Sequence, residues 1–554
     1  MLDTFLLAAS APRMTRRPVF SALALATLVA LLAGCALPIP PRPPLQLTIL
    51  HTNDHHGRFW TNRDGEGGLA ARKTLIDSIR ADVAAAGGHT LLLDGGDVNT
   101  GVPESDLQQA EPDFKGMNRL GYDAMAVGNH EFDNPPAVLA RQRGWADFPM
   151  LAANIYQGGK RLFEPFRVFE RGGYKIAVLG LTTDDTAKMV LPDNIAGITL
   201  RKPADEAADL VPLLRRQADM VIAATHMGHY PDGQRGVNAP GDVEMARAVP
   251  GLDLVVGGHS QNPVCMLAEN VRDTDYVPGT PCAPDRQNGA WIVQAHEWGK
   301  YVGRADFVID AGRIELLRYR LLPVNLKRPG ADGRKGLTYT EPIAEDAGLR
   351  AFLQPFQDVG QGSLAVPVGS ADGVLDGDRA RVRQQPTTLG TLIARAMMAR
   401  TGADLALINA GGVRDSLPAG QITYRDVLKV QPFANTVGVV TLTGTELLTY
   451  LRAAAAMSPH SGAFAQTAGV QMRITGGQLQ EAWVAGQQVD AARSYRLAIN
   501  NFTAIGGDGY PKLNRHPGYV DSGFNDADVL RAYIASHSPL KVADYEPGDA
   551  VSRR

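Results

Sequence analysis

A short buried strand that ends in polar, metal-binding side chains constrains the fold of this chain more than any other stretch. The mostly apolar segment 122–126 predicts a strand, and Gly128 marks the turn that ends it. The side chains that follow this glycine are Asn129, His130, Glu131 and Asp133. Polar groups at the end of a buried strand need partners, and metal ions supply them. The motif alone is equally consistent with a capped turn, so the other strand ends decide between the two interpretations.

Further predicted strands end in the same kinds of side chain. They contribute Asp54 and His56 after strand 45–51, Asp97 after strand 89–93, His226 after strand 219–225, and His259 and Gln261 after strand 252–256. Helical segments such as 67–86 lie between these strands. Because a layered α/β fold brings the carboxyl ends of its strands to one edge, these side chains are predicted to converge. The i, i+2 spacing from Asp54 favours His56 over His55 as the ligand, which leaves His55 a structural role.

Length and composition place weaker limits on the fold and on the binding partners of the protein. With 554 residues, of which 44% are hydrophobic and 20% charged, the chain is expected to form two large globular domains. A net charge of −3 without a basic block argues against a nucleic-acid polymer as a partner. We expect the protein to be a monomer.

The N-terminus predicts an export signal of the bacterial lipoprotein type, which lies outside the fold. Arg16 and Arg17 precede an apolar run over 19–34 that is short for a membrane span. The run ends in Leu-Ala-Gly-Cys, which resembles the lipoprotein cleavage box and would make Cys35 the lipidated first residue of the mature protein. A plain secretory signal with an incidental cysteine is the alternative. The residues before Met14 do not resemble a signal, so Met14 is a candidate start.

These features assign residues 1–35 to the signal and residues 36–44 to a stiff proline-rich tether. Ala36 is not the aspartate associated with inner-membrane retention, so we expect a periplasmic protein anchored to the outer membrane. Export also permits disulfide bonds. Cys265 and Cys282 remain, and we expect them to form a disulfide that closes the loop between them; two free thiols are the alternative.

The second half of the chain contains residues suited to organic anions and rings. Segment 343–361 predicts a helix, and we place the domain boundary within 340–365. Beyond it stand an i, i+4 arginine pair, an arginine after two glycines, a phenylalanine after a proline, and a phenylalanine and an aspartate near glycines. These residues are Arg379, Arg383, Arg414, Phe433, Phe502 and Asp508. From spacing alone, a solvated charge cluster and core phenylalanines are the alternatives.

The order of the first-half motifs resembles the calcineurin-like metallophosphoesterases over residues 54–261: Asp-x-His, Gly-Asp, Gly-Asn-His-Glu, His and Gly-His-x-Gln. The resemblance implies one metal held by Asp54, His56, Asp97 and Gln261, and a second held by Asp97, Asn129, His226 and His259. It also implies a catalytic pair, His130 and Asp133. Gln261 stands where many relatives have a histidine. The mixed oxygen and nitrogen ligands suit two divalent cations of Zn²⁺, Mn²⁺ or Co²⁺.

The second half resembles the C-terminal domain of the 5′-nucleotidase family, which includes bacterial periplasmic UDP-sugar hydrolases. The substrate residues that this resemblance implies are Arg379, Arg383 and Arg414 for phosphate or carboxylate-like groups, Phe433 and Phe502 for the base, Asp508 for ribose hydroxyls, and Asn435 and Gly462 as pocket lining. One departure is Thr388, which stands where the family usually has an asparagine. That departure puts any contact made by the asparagine in doubt.

Together the resemblances imply an α/β protein in three parts. These are a four-layer α/β/β/α metallophosphoesterase domain over 45–340, a linker helix and hinge over 341–365, and a smaller α/β nucleotide-binding domain over 366–550. The implied activity is hydrolysis of nucleoside 5′-monophosphates, and of UDP-sugars to UMP and sugar 1-phosphate. A 2′,3′-cyclic-nucleotide phosphodiesterase or a thiosulfohydrolase is one alternative, and the aromatic and arginine residues argue against the latter. A nucleotide-binding surface lipoprotein with an inactive metal centre is the other, and the intact metal and catalytic motifs argue against it.

Overall fold

The computed structural model describes residues 42–62, 64–190, 192–230, 240–330, 335–433, 435–457, 459–547 and 551–553. The predicted signal with Cys35, and the tether as far as residue 41, lie outside the described residues. From Pro44 onward the chain forms one compact unit. Within the described ranges, no helix is long and apolar enough to cross a membrane.

Among the described residues, two mixed β-sheets dominate the first half. From edge to edge, the first sheet consists of Arg313–Pro323, Tyr301–Asp310, Leu45–Thr52, His89–Asp94, Ala124–Ala126 and Met150–Leu151. The second consists of Asp285–Gln287, Ala290–Val293, Leu254–Val256, Met220–His226, Tyr174–Thr182 and Phe166–Arg171. The strands that carry the predicted ligands are parallel to their ligand-bearing neighbours within each sheet. Their carboxyl ends therefore lie at the same edge.

Alternating side chains explain how each sheet buries both faces. Along Tyr174–Thr182, Ile176 and Val178 belong to the core between the sheets, whereas Ala177 and Leu179 belong to the core beneath the outer helices. The helices outside the first sheet are Leu69–Ala85, Glu111–Leu120 and Pro136–Trp145, and those outside the second are Pro203–Arg215 and Asp242–Ala248. The predicted four-layer α/β/β/α arrangement is confirmed.

Shorter elements complete the first domain. They are the helices Pro103–Asp106 and Thr186–Met189, the 3₁₀ turns His130–Phe132 and Pro192–Ile195, and the strands Ile155–Gln157, Lys160–Arg161, Ile198–Leu200, Met266–Ala268, Val271–Arg272, Lys327–Pro329 and Lys335–Thr338. Cys265 and Cys282 form a disulfide, as predicted, and it closes the loop that carries the Met266–Ala268 hairpin.

The predicted linker helix extends over Ala347–Leu364. It begins at Asp346, whose side chain accepts a hydrogen bond from the backbone N–H of Leu349 at 2.7 Å. Leu349 and Leu353 are each 1% exposed and belong to the first-domain core beneath the helices of the first sheet. The N-terminal half of this helix is therefore packed into the first domain.

The second domain has its own sheets and its own cores. Its larger sheet, from edge to edge, consists of Ala465–Ala468, Leu405–Asn409, Ser494–Asn500, Thr436–Thr443 and Tyr519–Asn525. Its smaller sheets consist of Gln487–Gln488, Gln478–Val484, Val470–Thr475 and Val551–Arg553, and of Pro367–Ala371 with Gly420–Thr423. Its helices are Arg379–Val382, Thr388–Thr401, Tyr424–Val430, Gly444–Ala456, Asn501–Ala504 and Asp526–His537, with 3₁₀ turns at Ala410–Gly412, Gly507–Gly509 and Val542–Tyr545. Separate cores in the two halves agree with the predicted two-domain α/β fold.

Candidate metal centre and substrate cavity

The predicted metal-binding side chains meet at the carboxyl edges of the two first-domain sheets, with Asp97 at their centre. Its Oδ2 atom lies 2.9 Å from Nε2 of His226 and 3.8 Å from Nε2 of His56. Its Oδ1 atom accepts a hydrogen bond from the backbone N–H of His130 at 2.9 Å. One group of converging ligand atoms comes from His56, Asp97 and His130, and another from Asp97, His226 and His259. Asp97 belongs to both groups.

The other predicted ligands surround this centre. Oδ1 of Asn129 lies 2.9 Å from Nδ1 of His259, and Oδ2 of Asp54 accepts a hydrogen bond from the backbone N–H of His259 at 2.9 Å. The side-chain amide of Gln261 lies 2.6 Å from Nε2 of His56. The structure thus brings all the predicted metal ligands into one cluster.

Backbone carbonyl groups fix how two of the histidines face Asp97. Nδ1 of His56 lies 2.9 Å from the carbonyl oxygens of residues 99–100, and Nδ1 of His226 lies 2.7 Å from that of Gly95. Because a carbonyl oxygen only accepts, each Nδ1 carries a proton. Nε2 is then the atom of each ring that faces Asp97 and is able to bind a cation.

The backbone is left-handed at most of the predicted ligands. The φ angles are 52° at Asp54, 50° at His56, 60° at Asp97, 75° at His259 and 54° at Gln261. A residue other than glycine pays about 1–2 kcal/mol for this conformation. Such conformations persist where the surrounding structure fixes them, and they cluster at functional sites. These tight turns place the polar side chains that follow each strand close to the carboxyl end of that strand.

Glycines permit the closest backbone approaches in the centre. A Cβ atom on Gly128 would lie 2.2 Å from Oδ1 of Asp97, and one on Gly258 would lie 2.5 Å from the carbonyl oxygen of Gly95. Both distances are far below van der Waals contact. Residues larger than glycine at these positions would displace the turns that carry the ligands.

Glu131 holds the turn around Asp97 in place. Its carboxylate is fully buried and accepts hydrogen bonds from the backbone N–H groups of Gly128, Asp97, Val98 and Asn99 over 2.7–3.2 Å. Burial is the largest influence on its pKa and contributes to raising it to about 7. The Gly-Asn-His-Glu motif contains this residue, but the motif alone does not reveal its role, because three of its four donors are backbone groups on the turn at residues 97–99.

His130 and Asp133 form the predicted pair. Nδ1 of His130 lies 2.6 Å from Oδ2 of Asp133, while Nε2 lies 4.0 Å from Oδ2 of Asp97. Burial lowers the pKa of His130, but the carboxylates of Asp133 and Asp97 outweigh it and raise the pKa above its usual value. On its other side, the His130 ring stacks on the ring of Phe433, with centroids 5.7 Å apart and an interplanar angle of 12°. Phe433 belongs to the second domain, so the two domains meet at this residue.

The cluster fits divalent cations. Oδ1 of Asp54 and Oε1 of Gln261 are buried, and neither has a hydrogen-bond partner among the described residues. A buried acceptor without a donor is unfavourable, and a cation between these groups would satisfy it. The combination of carboxylate, amide and imidazole donors is one that borderline divalent metals accept.

A cavity of about 690 Å³ lies between the two domains and joins the metal centre to the predicted substrate residues. From the first domain it is lined by Asp97, Asn129, His130, Asp133, His259 and Gln261. From the second it is lined by Arg379, Arg383, Arg414, Phe433, Asn435, Gly462, Phe502 and Asp508. The remaining predicted ligands, Asp54, His56 and His226, are fully buried in the first domain.

Short elements of the second domain present its charged side chains to the cavity. Arg379 begins a one-turn helix capped by Asp378, and Arg383 follows directly after that helix. The guanidinium carbon of Arg414 lies 5.4 Å from the ring centroid of Phe433. Burial is the largest influence on the pKa of Arg414, and it contributes to lowering that pKa to about 10. The arginines thus provide positive charge on the second-domain side of the cavity.

Asp508 is held by a residue that sequence reasoning passed over. Nδ2 of Asn409 donates a hydrogen bond to Oδ2 of Asp508 at 2.7 Å, and both side chains are buried. Burial raises the pKa of the Asp508 carboxyl. Asn409 begins the Asn-Ala-Gly-Gly stretch that precedes Arg414 by one residue, and its place at the end of strand Leu405–Asn409 is the signal that could have found it.

Comparisons with known proteins agree with this two-part site. The family profile described as calcineurin-like phosphoesterase matches residues 47–263, and the profile described as 5′-nucleotidase, C-terminal domain, matches residues 367–515. The chain is 56% identical over 540 residues to Protein UshA of Escherichia coli, covering 96% of this chain and 98% of that protein. It is 52% identical over 541 residues to the 5′-nucleotidase of Vibrio cholerae, covering 96% of this chain and 98% of that enzyme.

The chain belongs to the 5′-nucleotidase family. A crystal structure of the 5′-nucleotidase precursor from Thermus thermophilus superposes with a TM-score of 0.77 at 30% identity, covering 92% of this chain and 99% of that one. The protein is accordingly a hydrolase of the metallophosphoesterase type.

His55 and Thr388 have structural roles in this member of the 5′-nucleotidase family. Nε2 of His55 lies 2.8 Å from Oδ1 of Asp113, and its Nδ1 lies 3.2 Å from the guanidinium of Arg72, which gives it the structural role that was predicted. The hydroxyl of Thr388 accepts a hydrogen bond from the backbone N–H of Asp376 at 2.7 Å. Thr388 therefore anchors the start of helix Thr388–Thr401 without lining the cavity.

Proposed function

We propose that the protein removes phosphate from nucleoside 5′-monophosphates and hydrolyses UDP-sugars to UMP and sugar 1-phosphate. The observation that carries this proposal is the cavity that the two domains share. Predicted metal ligands of the first domain line it together with arginine and phenylalanine side chains of the second domain. A relative of 52% identity is named 5′-nucleotidase, which supports the first activity. The sequence resemblance to periplasmic UDP-sugar hydrolases supports the second.

We assign the cations to the two groups of ligands that share Asp97. Asp54, His56, Asp97 and Gln261 would hold one, and Asp97, Asn129, His226 and His259 would hold the other. When bound, the divalent cations supply Lewis acidity for the transfer of a phosphoryl group to water.

The side chains around the centre complete the reaction. Asp133 holds a proton on Nδ1 of His130, and its carboxylate favours the protonated ring, whose Nε2 faces the centre. That Nε2–H donates to the oxygen on which charge develops as the phosphate ester breaks. Arg379, Arg383 and Arg414 neutralise the anionic substrate groups.

The rest of the second-domain pocket binds the nucleoside. Phe433 and Phe502 hold the base between aromatic surfaces, and Asp508, oriented by Asn409, accepts hydrogen bonds from ribose hydroxyls. Asn435 and Gly462 shape the pocket around them. Aromatic stacking tolerates different bases, so several nucleotides should be substrates.

A substrate panel tests the proposal. The metal-free protein, reloaded with Mn²⁺, Co²⁺ or Zn²⁺, is assayed for phosphate release from AMP and UMP and for UMP release from UDP-glucose. Activity on these three that EDTA abolishes is expected. Hydrolysis confined to 2′,3′-cyclic nucleotides would favour the phosphodiesterase alternative, and nucleotide binding without turnover would favour the surface-lipoprotein alternative.

We also propose a periplasmic location with lipid attachment at Cys35, which rests on the sequence alone. The Cys35→Ser variant should leave the membrane fraction and keep its activity, because the tether precedes the compact unit that begins at Pro44. Wild-type protein found wholly in the soluble periplasm would contradict the anchor. For the domains, we propose boundaries at 45–340 and 366–550. Because Leu349 and Leu353 hold the N-terminal half of the connecting segment 341–365 in the first-domain core, we place the rotation that opens the cavity at the C-terminal end of that segment.

A further inference from the structure

One part of the cavity wall serves neither the metal centre nor the nucleoside pocket. It is the turn formed by residues 296–300, which follows strand Ala290–Val293 of the first domain. Within this 296–300 turn, His296, Glu297 and Lys300 line the cavity. The turn is fixed to the metal centre, because the backbone N–H of Trp298 donates to the carbonyl oxygen of Asp54 at 2.7 Å. A group bound here would therefore keep a set position relative to the cations.

Glu297 has an acceptor that the protein does not use. The residue is 5% exposed, and its Oε1 atom accepts a hydrogen bond from Nζ of Lys300 at 2.8 Å. Its Oε2 atom is buried and accepts no hydrogen bond from the described residues, and Nδ1 of His296, which lies 3.9 Å from Oε1 of Glu297, also makes no hydrogen bond with them. Leaving a buried carboxylate oxygen without a donor is costly, so a ligand that donates is expected at this position.

The charge of Glu297 limits what that ligand is. Burial acts to raise its pKa, but the positive charges of Lys300 and Arg379 outweigh burial and hold the carboxyl well below its usual pKa. An ionised carboxylate repels a phosphate group, so Glu297 does not suit an anion. Neutral hydroxyl groups suit it, because each offers an O–H donor without adding charge.

In the proposed binding mode, a nucleoside monophosphate makes no contact with the 296–300 turn. The proposed contacts for its base and ribose all come from the second domain, and its phosphate belongs at the metal centre. A UDP-sugar carries a further group, rich in hydroxyls, beyond the phosphate furthest from the nucleoside. With that phosphate at the metal centre, the proposed binding mode directs the sugar to cavity space on the first-domain side, where the 296–300 turn lies.

We propose that the 296–300 turn is a sugar subsite in which Glu297 accepts hydrogen bonds from the hydroxyls of the sugar of a UDP-sugar. The inference rests on the proposed function and adds the determinant that separates UDP-sugars from simple nucleotides. His296 contributes a second polar contact, and Lys300 holds the Glu297 carboxylate in position.

Three substrates with the same nucleoside test this subsite. UMP, UDP and UDP-glucose are compared in wild type and in Glu297→Gln, which keeps the size of the side chain but removes its charge. We expect kcat/KM for UDP-glucose to fall about tenfold more than kcat/KM for UMP or UDP, as suits a lost hydrogen bond to a charged group. Glu315→Gln makes the same change at an exposed strand position and should leave kcat/KM for each of the three substrates at its wild-type value.

Equal losses of kcat/KM on the three substrates would overturn the proposal. They would mean that Glu297 only keeps the cavity wall or the nearby Arg379 in position. Glu297→Asp provides a second variant, because it keeps the charge but withdraws the carboxylate by one methylene. It should give the same selective loss. Circular dichroism melting checks that each variant is folded before its rates are compared.

A binding measurement separates this proposal from the proposed function. Glucose 1-phosphate and inorganic phosphate are titrated calorimetrically into the metal-loaded protein. Wild type should bind glucose 1-phosphate about tenfold more tightly than phosphate, and Glu297→Gln should bind the two alike. Equal binding by wild type would overturn the subsite even if UDP-glucose is hydrolysed. Preferential binding in a protein that fails to hydrolyse UMP would instead overturn the proposed function.

Discussion

The metal centre and the nucleoside pocket line the same cavity, but they are built in different ways. In the metal centre, the ligand side chains except His259 are almost wholly buried, most of them lie on left-handed turns, and backbone carbonyl groups orient His56 and His226. In the pocket, Arg379, Arg383, Phe433 and Phe502 are partly exposed and lie on one-turn helices or loops. The fold fixes the position of the first set closely and leaves more freedom to the second.

This difference indicates a division of labour. Chemistry that depends on placing a phosphorus atom to within fractions of an ångström needs the rigid set. Recognition of variable bases and sugars tolerates side chains that adjust. Variants in the two regions should therefore differ in size and kind of effect.

The largest effect is expected from Asp97→Asn. The change removes the carboxylate charge shared by both proposed cation sites, so AMP hydrolysis should fall by about 10⁴-fold or more. Bound metal, measured by inductively coupled plasma analysis, should fall with it. Asp310→Asn, at an exposed strand end, is the control. An Asp97→Asn protein with near-normal turnover and metal content would show that the centre is not organised around this residue.

A somewhat smaller effect is expected from His130→Ala. The loss of an acid in the transition state should lower kcat by about 10²–10⁴-fold while the metal content stays the same. Asp133→Asn should cause a smaller loss, because it removes only the partner that orients the ring. If His130→Ala protein instead lacks one metal, the residue is a ligand.

The pocket phenylalanines should show weaker effects, and these should differ from each other. Phe502→Ala should weaken AMP binding by about 1–3 kcal/mol for a lost base stack and leave a small aryl phosphate largely unaffected. Phe433→Ala should add a loss of kcat on both substrates, because its ring stacks on His130. Steady-state kinetics on the two substrates provide the measurement. Matching losses for both variants on both substrates would mean that the rings only pack.

The smallest effect is expected from Thr388→Asn, which restores the residue usual in the family. Thr388 accepts one backbone hydrogen bond at the start of a helix. Stability should change by no more than about 1 kcal/mol and kcat/KM by less than about twofold. Thermal melting and UMP hydrolysis measure the two quantities. A large gain in nucleotide affinity would place this position in the pocket after all.

Much of the fold and of the metal centre could be predicted from the sequence, because strands leave a strong local signal. Predicted strands 45–51 and 219–225 correspond to Leu45–Thr52 and Met220–His226. The second runs on to His226 because its backbone pairs with Thr182 on the neighbouring strand. Which polar residues converge also followed from the order of strand ends.

The remainder depends on contacts that no local pattern records. Glu131 binds backbone donors of a turn that lies more than thirty positions earlier in the chain. Asn409 meets Asp508 across an even longer separation. Glu297 belongs to no motif, and it becomes notable only because one of its oxygens, beside the cavity, accepts no hydrogen bond from the part of the chain that the structure describes.

The anchoring of Leu349 and Leu353 in the first-domain core determines where the chain is best cut to study its catalytic half alone. A protein truncated at residue 340 would lack both leucines and leave an apolar groove open to water. Such a fragment should aggregate. Ending the fragment after Leu364 keeps the whole helix and covers the groove. The metal chemistry could then be titrated without the nucleotide pocket, with aryl phosphates as substrates.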